Sequence, residues 1–296
     1  MSVVARRAAA TSVAALLLIL AACQSASPSA SAGANPLDDQ LGNPGILTTC
    51  IDIPYPPQEF FDAKGNPIGS DPDIAAELAS RLDLSLRVEN SIFDTIILAL
   101  TDGKCDIIVS AQNITKDRLG QVNMIPYFKA GQAFVVAKGN PDGIKAELDL
   151  CGKKVAAETG TTEVDYVNGT GDYEGAGLSK KCTDAGKAAV DMQEFQKDTD
   201  ALLALSSGAV QAYFADSPVA GYYVVNQPEQ FELSGLTVEE ALEGISVATD
   251  HEKLGNAIVE TLKAMITDGK YGEILAKYGL EDGGVTADQV ELQTGS

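Results

Sequence analysis

The chain has 296 residues, 45% of them apolar, and carries 21 basic against 42 acidic side chains, a formal charge of −21. That apolar share is enough for a sizeable core and excludes collagen, coiled coil and wholesale disorder. With so few cations there is no basic face for nucleic acid or anionic lipid, and only one apolar run, at the N-terminus, is long enough to consider as a membrane segment.

Arg6 and Arg7 precede the apolar stretch Val13 to Ala22, which is too short to cross ~30 Å of hydrocarbon as a helix. Charged start, short apolar middle and small residues predict a signal peptide over residues 1–22. Its end, Leu20-Ala21-Ala22-Cys23, resembles the bacterial lipobox, which implies cleavage before Cys23 and lipid on that cysteine. Residues 24–36 hold only Gln, Ser, Ala, Pro, Gly and Asn and read as a flexible tether, so residues 23–37 are taken as lipidated cysteine plus linker. The expected location is extracytoplasmic, with the lipid as the only membrane contact. Disulfides persist in such a compartment. Cys151 and Cys182 bracket one strand–helix segment and are paired, closing a loop worth ~3–4 kcal/mol. Cys50 ends one predicted strand and Cys105 begins another. They bridge if those strands are neighbours and are otherwise two buried thiols.

The elements alternate. Ile46–Asp52 reads as a strand. Asp71 caps a helix with Pro72 at its first position, and Ile74, Leu78 and Leu82 form its buried stripe. Leu84, Leu86 and Val88 mark a second strand, Ile92, Ile96, Ile97 and Leu100 a helix stopped by Gly103, and Cys105–Ser110 a doubly covered strand. This βαβαβ order predicts an α/β sheet. A second unit repeats it: strands at Lys154–Ala157, Ala188–Met192 and Val210–Ala215, helices at Thr161–Asn168, Thr199–Ser207 and from about Ser217. Gln132–Ala137 and Gln230–Leu233 are extended crossings between the units. Two crossings return the chain to the first lobe, where Ile245–Thr249 is a strand and Glu252–Thr267 and Tyr271–Tyr278 are helices.

Nucleophile elbows, phosphate loops and metal-ligand clusters are absent from the sequence, and the only histidine is His251. No catalytic residue, metal or cofactor is expected. The polar clusters sit at strand ends, where α/β sheets bind ligands. One is the stiff loop from Asp52 through Tyr55 to Phe60, with Phe93 at the next helix start. Another runs from Ser110 through Gln112 and Asn113 to Arg118, whose planar guanidinium can grip a carboxylate. In the second unit Gly160-Thr161-Thr162-Glu163 begins a helix, and Asp216 follows a strand.

Tyr55-Pro56-Pro57-Gln58-Glu59-Phe60, Gly69-Ser70-Asp71, Phe93-Asp94, Ser110 to Arg118, Gly160-Thr161-Thr162, Asp268-Gly269-Lys270-Tyr271 and Lys277-Tyr278-Gly279-Leu280 follow one another in this order. The series resembles the bacterial family 3 solute-binding proteins of amino-acid ABC importers. The resemblance implies a two-lobed α/β fold of the type II periplasmic-binding class, with two hinge strands and a cleft between lobes. Lobe 1 would hold residues 38–133 and 232–296, and lobe 2 residues 134–231. It also implies a monomer that closes over one amino acid and hands it to a permease with its ATPase, without enzymatic activity. Arg118 would bind the ligand α-carboxylate with help from Thr162, Asp216 the α-ammonium, and Tyr55 and Phe93 the side chain. Asp52 would meet the side-chain end. Asn113 departs from the usual Ser or Thr. Glu158 and Glu163, standing where other residues are common, lean the pocket towards a cationic side chain. A receptor-linked sensor and a dehydratase-like enzyme are the alternatives on this fold.

Overall fold

The computed structural model describes residues 35–295. The expected signal peptide, the lipidation site Cys23 and the tether up to residue 34 lie outside the described residues. The last expected tether residues belong to the folded body instead. Asn35 donates its side-chain amide to the Leu82 carbonyl at 2.7 Å, and Leu37 and Leu41 are buried in the first apolar core. Two leucines so close to the tether are too apolar to stay in water, so the fold begins earlier than composition suggested.

The chain forms β1 (Ile46–Ile51), β2 (Phe60–Phe61), β3 (Pro67–Ile68), α1 (Ser70–Arg81), β4 (Ser85–Asn90), α2 (Ile96–Thr101), β5 (Ile107–Ile108), α3 (Lys116–Leu119) and the long β6 (Asn123–Ala137). It continues with β7 (Lys154–Glu158), α4 (Thr162–Asn168), α5 (Leu178–Asp184), β8 (Asp191–Phe195), α6 (Asp198–Ser206), β9 (Ala212–Asp216) and α7 (Ser217–Asn226). The 17-residue β10 (Phe231–Val247), α8 (Glu252–Thr267) and α9 (Lys270–Tyr278) complete it.

Eight strands make one sheet in the order β4-β1-β5-β10-β6-β9-β7-β8. β4, β1 and β5 run parallel at one end, and β9, β7 and β8 run parallel at the other. β6 and β10 join them as an antiparallel pair, from Asn123↔Val247 to Ala137↔Phe231. β10 pairs with β5 of the first group and β6 with β9 of the second, so the two strands together link the parallel groups. β10 shifts register at three places along β6, and such irregularities let a strand bend. The fold is mixed α/β with two lobes. Their cores are distinct: Leu47, Ile74, Leu78, Ile258 and Leu262 in one, Phe134, Val155, Val167, Leu178 and Phe214 in the other. Val285 and Val290 also lie in the first core, and Gln293 bridges to Met124, so residues 281–295 pack on the body. No helix of the described residues is long and apolar enough to cross a membrane. Both cysteine pairs are bridged, Cys50–Cys105 and Cys151–Cys182, with Cα separations of 5.7 and 5.5 Å.

Several elements differ from the sequence expectation. The helix at residue 70 has Gly69 as its cap, and Asp71 lies inside its first turn with its carboxylate turned into the core. There it accepts from Tyr127 Oη at 2.7 Å and the Ala111 N–H at 3.0 Å, donors stronger in claim than a helix end in water. The strand expected at Ala188–Met192 begins at Asp191, because Ala188 and its neighbours close the turn after α5, with the Lys187 N–H on the Cys182 carbonyl. α5 went unread because its apolar repeat is a single pair, Leu178 and Cys182, too short to mark a helix. The strand expected at Cys105–Ser110 pairs only at Ile107 and Ile108.

Gly69 has φ +133°, and a Cβ there would stand 2.0 Å from the Gln58 carbonyl oxygen. A rigid backbone atom cannot yield as a side-chain tip can. Gly69→Ala should therefore lower unfolding free energy by at least about 2 kcal/mol, read as a lower urea midpoint with unchanged slope. A midpoint equal to wild type would refute the close approach.

Candidate ligand-binding site

The cleft is assembled by the loops that leave the sheet between the two lobes. After β1, Tyr55 and Glu59 pair through their backbones, with N–H···O distances of 2.6 and 3.1 Å. The pairing sets the Tyr55 side chain against the opposite lobe and the Glu59 carboxyl against Ser110 of its own lobe. Tyr55 Oη donates to Asp216 Oδ2 and accepts from the Asp216 N–H, each at 3.0 Å. After β5, the Thr115 hydroxyl caps α3 by accepting from the Arg118 N–H. The Arg118 guanidinium is thereby set under the cleft. It donates to the Asn113 carbonyl at 2.7 Å and, across the lobes, to the Gly160 carbonyl at 3.0 Å. It also lies 5.4 Å from the centre of the Phe93 ring, a favourable cation–π arrangement. Gly160 permits the approach, since a Cβ there would sit 2.9 Å from Asp94 Cα. The lobes are thus in contact, and the structure is a closed form.

Between them the walls leave a narrow cavity of about 10 Å³, lined by Asp52, Tyr55, Glu59, Phe93, Ala111, Asn113, Arg118, Glu158, Thr161, Thr162, Glu163 and Asp216. Ten of the residues singled out in the sequence meet here: Asp52, Tyr55, Phe93, Asn113, Arg118, Glu158, Thr161, Thr162, Glu163 and Asp216. Ser110 and Gln112 do not line it. The Ser110 hydroxyl is taken up behind the wall by Glu59 Oε1 at 2.8 Å and the Asp52 N–H at 2.9 Å. Gln112 Oε1 accepts from the Ser246 hydroxyl at 3.0 Å. Glu59 and Ala111 are additional lining residues. Glu59 lies within the Tyr55 to Phe60 motif and Ala111 within the Ser110 to Arg118 segment, but neither side chain type marks a ligand contact there.

Thr162 is more engaged than expected. Its hydroxyl accepts from Asn113 Nδ2 and from Gln132 Nε2, both at 2.7 Å. Gln132 lies on β6, so one hydroxyl is tied to the first lobe and to a hinge strand. Asn113 in place of Ser or Thr thus serves as an interlobe donor. Asp52 accepts the Phe93 N–H at Oδ2, 2.6 Å, and an ion pair from Lys197 at Oδ1.

Electrostatically the cavity is a surplus of acids around one guanidinium. Burial, with Asp52 and Asp198 nearby, pushes the Glu158 carboxyl up to about 10. Burial and the Asp216 charge hold Glu163 well above the carboxylate range. Burial raises Asp216 to about 7 against the pull of Tyr55 and Arg118. Arg118 itself is lowered by burial, opposed by Glu163, Asp165 and Asp216. Five lining oxygens are buried with no donor among the described residues: Glu59 Oε2, Asn113 Oδ1, Glu158 Oε1, Glu163 Oε1 and Asp216 Oδ1. All are acceptors. Among the described residues no group of three or more His, Cys, Asp or Glu side chains is placed to hold a metal ion.

Residues 47–281 match the bacterial extracellular solute-binding proteins, family 3. The arginine-binding protein ArgT of Corynebacterium glutamicum is 26% identical over 83% of this chain and 78% of its own length. A protein of Neisseria gonorrhoeae named as a probable histidine-binding protein is 27% identical over 91% of this chain and 94% of its own. The solved structure of an ancestral arginine-binding protein bound to arginine is 34% identical. It matches at a TM-score of 0.71, covering 79% of this chain and 98% of that one. Two lobes on a shared hinge, a cleft at the strand ends and a match over almost all of the folded body agree: the chain belongs to family 3 of the bacterial extracellular solute-binding proteins.

Proposed function

We propose that this chain is the substrate-binding lipoprotein of an ABC importer, and that its cleft captures a polar amino acid, preferentially one with a cationic side chain. The observation that carries this is the set of unpartnered lining oxygens. A buried acceptor without a donor costs free energy, so the complementary ligand is rich in donors. Four of the five oxygens belong to carboxyls, which favours cationic donors. The arginine- and histidine-binding relatives support the same chemistry.

In this reading lobe 1 comprises residues 38–133 and 232–296 and lobe 2 residues 134–231. Arg118 grips the α-carboxylate, Asp216 with Glu163 receives the α-ammonium, and Tyr55 and Phe93 flank the side chain. Glu158 and Asp52 stand at its far end. A zwitterion buried without partners would cost several kcal/mol, so both ends must be matched, and only the closed form presents both lobes at once. The ligand shifts the population towards closure. The closed complex is then delivered to a permease and its ATPase. Lipid on Cys23 would keep the protein at the outer face of the cell membrane. The ligand leaves chemically unchanged, which separates this reading from a dehydratase-like enzyme.

The direct test is a thermal-shift screen of the refolded protein against the common amino acids, ornithine, citrulline and opines. A ligand at 100 times its dissociation constant adds about 2.7 kcal/mol, a shift of several degrees. Stabilisation by cationic amino acids, each recovered intact, is the expected result. Absence of any shift, or product formation, would sink it. Arg118→Ala should weaken the selected ligand by about 2–3 kcal/mol, because its carboxylate then lies buried and unpaired. Calorimetric affinity equal to wild type, in a variant that melts normally without ligand, would remove the carboxylate assignment.

A pH dependence follows from Asp198 and Asp216. Burial raises each from 3.8 to about 7, so each holds its proton more tightly folded than unfolded. Their contribution favours folding fully below about pH 4 and is lost as pH rises through about 7. The ligand-free urea midpoint should fall between about pH 5 and pH 8, and fall less in Asp216→Asn. An identical slope in that variant would show that Asp216 is not one of the groups responsible.

A further inference from the structure

Lys197 is placed unusually. It is the N-cap residue of α6, a position that favours Ser, Thr, Asp or Asn and where a cation faces the positive end of the helix dipole. Its side chain makes no cap bond. It crosses from lobe 2 to lobe 1 instead, ion-paired to Asp52 Oδ1 and 3.4 Å from the Ser91 carbonyl. The ammonium end is partly solvent-exposed, 27% for the side chain, whereas Asp52 is 5% exposed. The other Asp52 oxygen already accepts the Phe93 N–H. Asp52 thus lines the cavity with both oxygens occupied by protein donors, while Glu158 Oε1 beside it has none.

Resting on the amino-acid cleft of the preceding subsection, we propose that Lys197 sets the charge selectivity of that cleft: in the closed form its ammonium takes the Asp52 carboxylate that a ligand's side-chain cation would otherwise use, leaving Glu158 as the acceptor at this end. The consequence is a cleft that holds both cationic and neutral polar side chains, since one buried charge is already compensated from within. Removing the ammonium frees Asp52. A cationic side chain then gains a partner, and a neutral one leaves a buried carboxylate unpaired.

The test compares wild type, Lys197→Met and Lys197→Arg by calorimetric titration with arginine and with glutamine, which share α-groups and differ in side-chain charge. The ratio of arginine to glutamine affinity should rise at least about tenfold in Lys197→Met and stay near wild type in Lys197→Arg, which keeps the pair. A ratio unchanged or lowered in Lys197→Met overturns the inference, as does an equal loss for both ligands, which marks a structural latch. Wild type that binds arginine but gives no measurable glutamine binding overturns it as well. If wild type binds neither these nor any other amino acid, the cleft reading itself has failed.

Discussion

A carboxyl taken out of water must find donors or take up a proton, and the interior of this molecule gathers more carboxyls than donors. Behind the lining lie Asp71 and Glu243, both fully buried with Glu59. Burial and Asp71 hold Glu59 well above the carboxylate range, and burial with Asp216 and Asp71 does the same to Glu243. Asp71 is raised by burial to about 6, even with Tyr127 and Ala111 donating to it. The donors that the fold does supply are spent on this cluster: Ser110 on Glu59, Gln58 on Glu243 at 2.6 Å, Tyr127 on Asp71. This accounts for the absence of Ser110 from the cavity wall. It is already committed to keeping the next acid in place.

The same constraint governs closure. Across the cleft the closed form makes a small number of polar contacts, Tyr55 to Asp216, Asn113 to Thr162, Arg118 to Gly160 and Lys197 to Asp52. Each such hydrogen bond is worth roughly 0.5–1.5 kcal/mol net, and the partly exposed Lys197 pair less than a fully buried one would be. β6 and β10 run continuously through both lobes, so closing alters a bend rather than rebuilding a core. A ligand that answers the unpartnered acceptors can therefore decide the balance between forms.

What the sequence made legible follows from how local each cause is. α8 could be read to the residue, because Leu254, Ile258, Leu262 and Met265 repeat at helical spacing and all are buried. Arg118 and Asp216 were placed by a strand-end rule that needs only the preceding strand. Ser110 and Gln112 were assigned to the cleft because they neighbour Asn113 in sequence, but successive residues leaving a strand face opposite ways, and both turn inward. Asn113 alone of the three reaches the cavity. The continuity of β10 was hidden because its middle, from Ser234 to Gly244, mixes polar and apolar residues, and the first half of β6 because Pro126 and Lys129 interrupt its apolar run. Lys197 carried only a weak signal, a cation at a helix start, since its partner lies 145 residues away in the chain.

The acid surplus also bears on what the ligand exchanges for its place. Glu163 and Asp216 interact closely enough for each to shift the other, and apart from each other Glu163 Oε1 and Asp216 Oδ1 have no donor among the described residues. Two carboxyls in such contact cannot both be ionised in a dry site, so near neutrality they hold a proton between them. An ammonium with three donors fits the place that proton holds and offers more hydrogen bonds than the proton can. On the proposed reading, receipt of a ligand α-ammonium at this end would be an exchange of a proton for an ammonium rather than a simple addition of charge. On that reading the free energy of binding would be smaller than the bare ion pairs suggest.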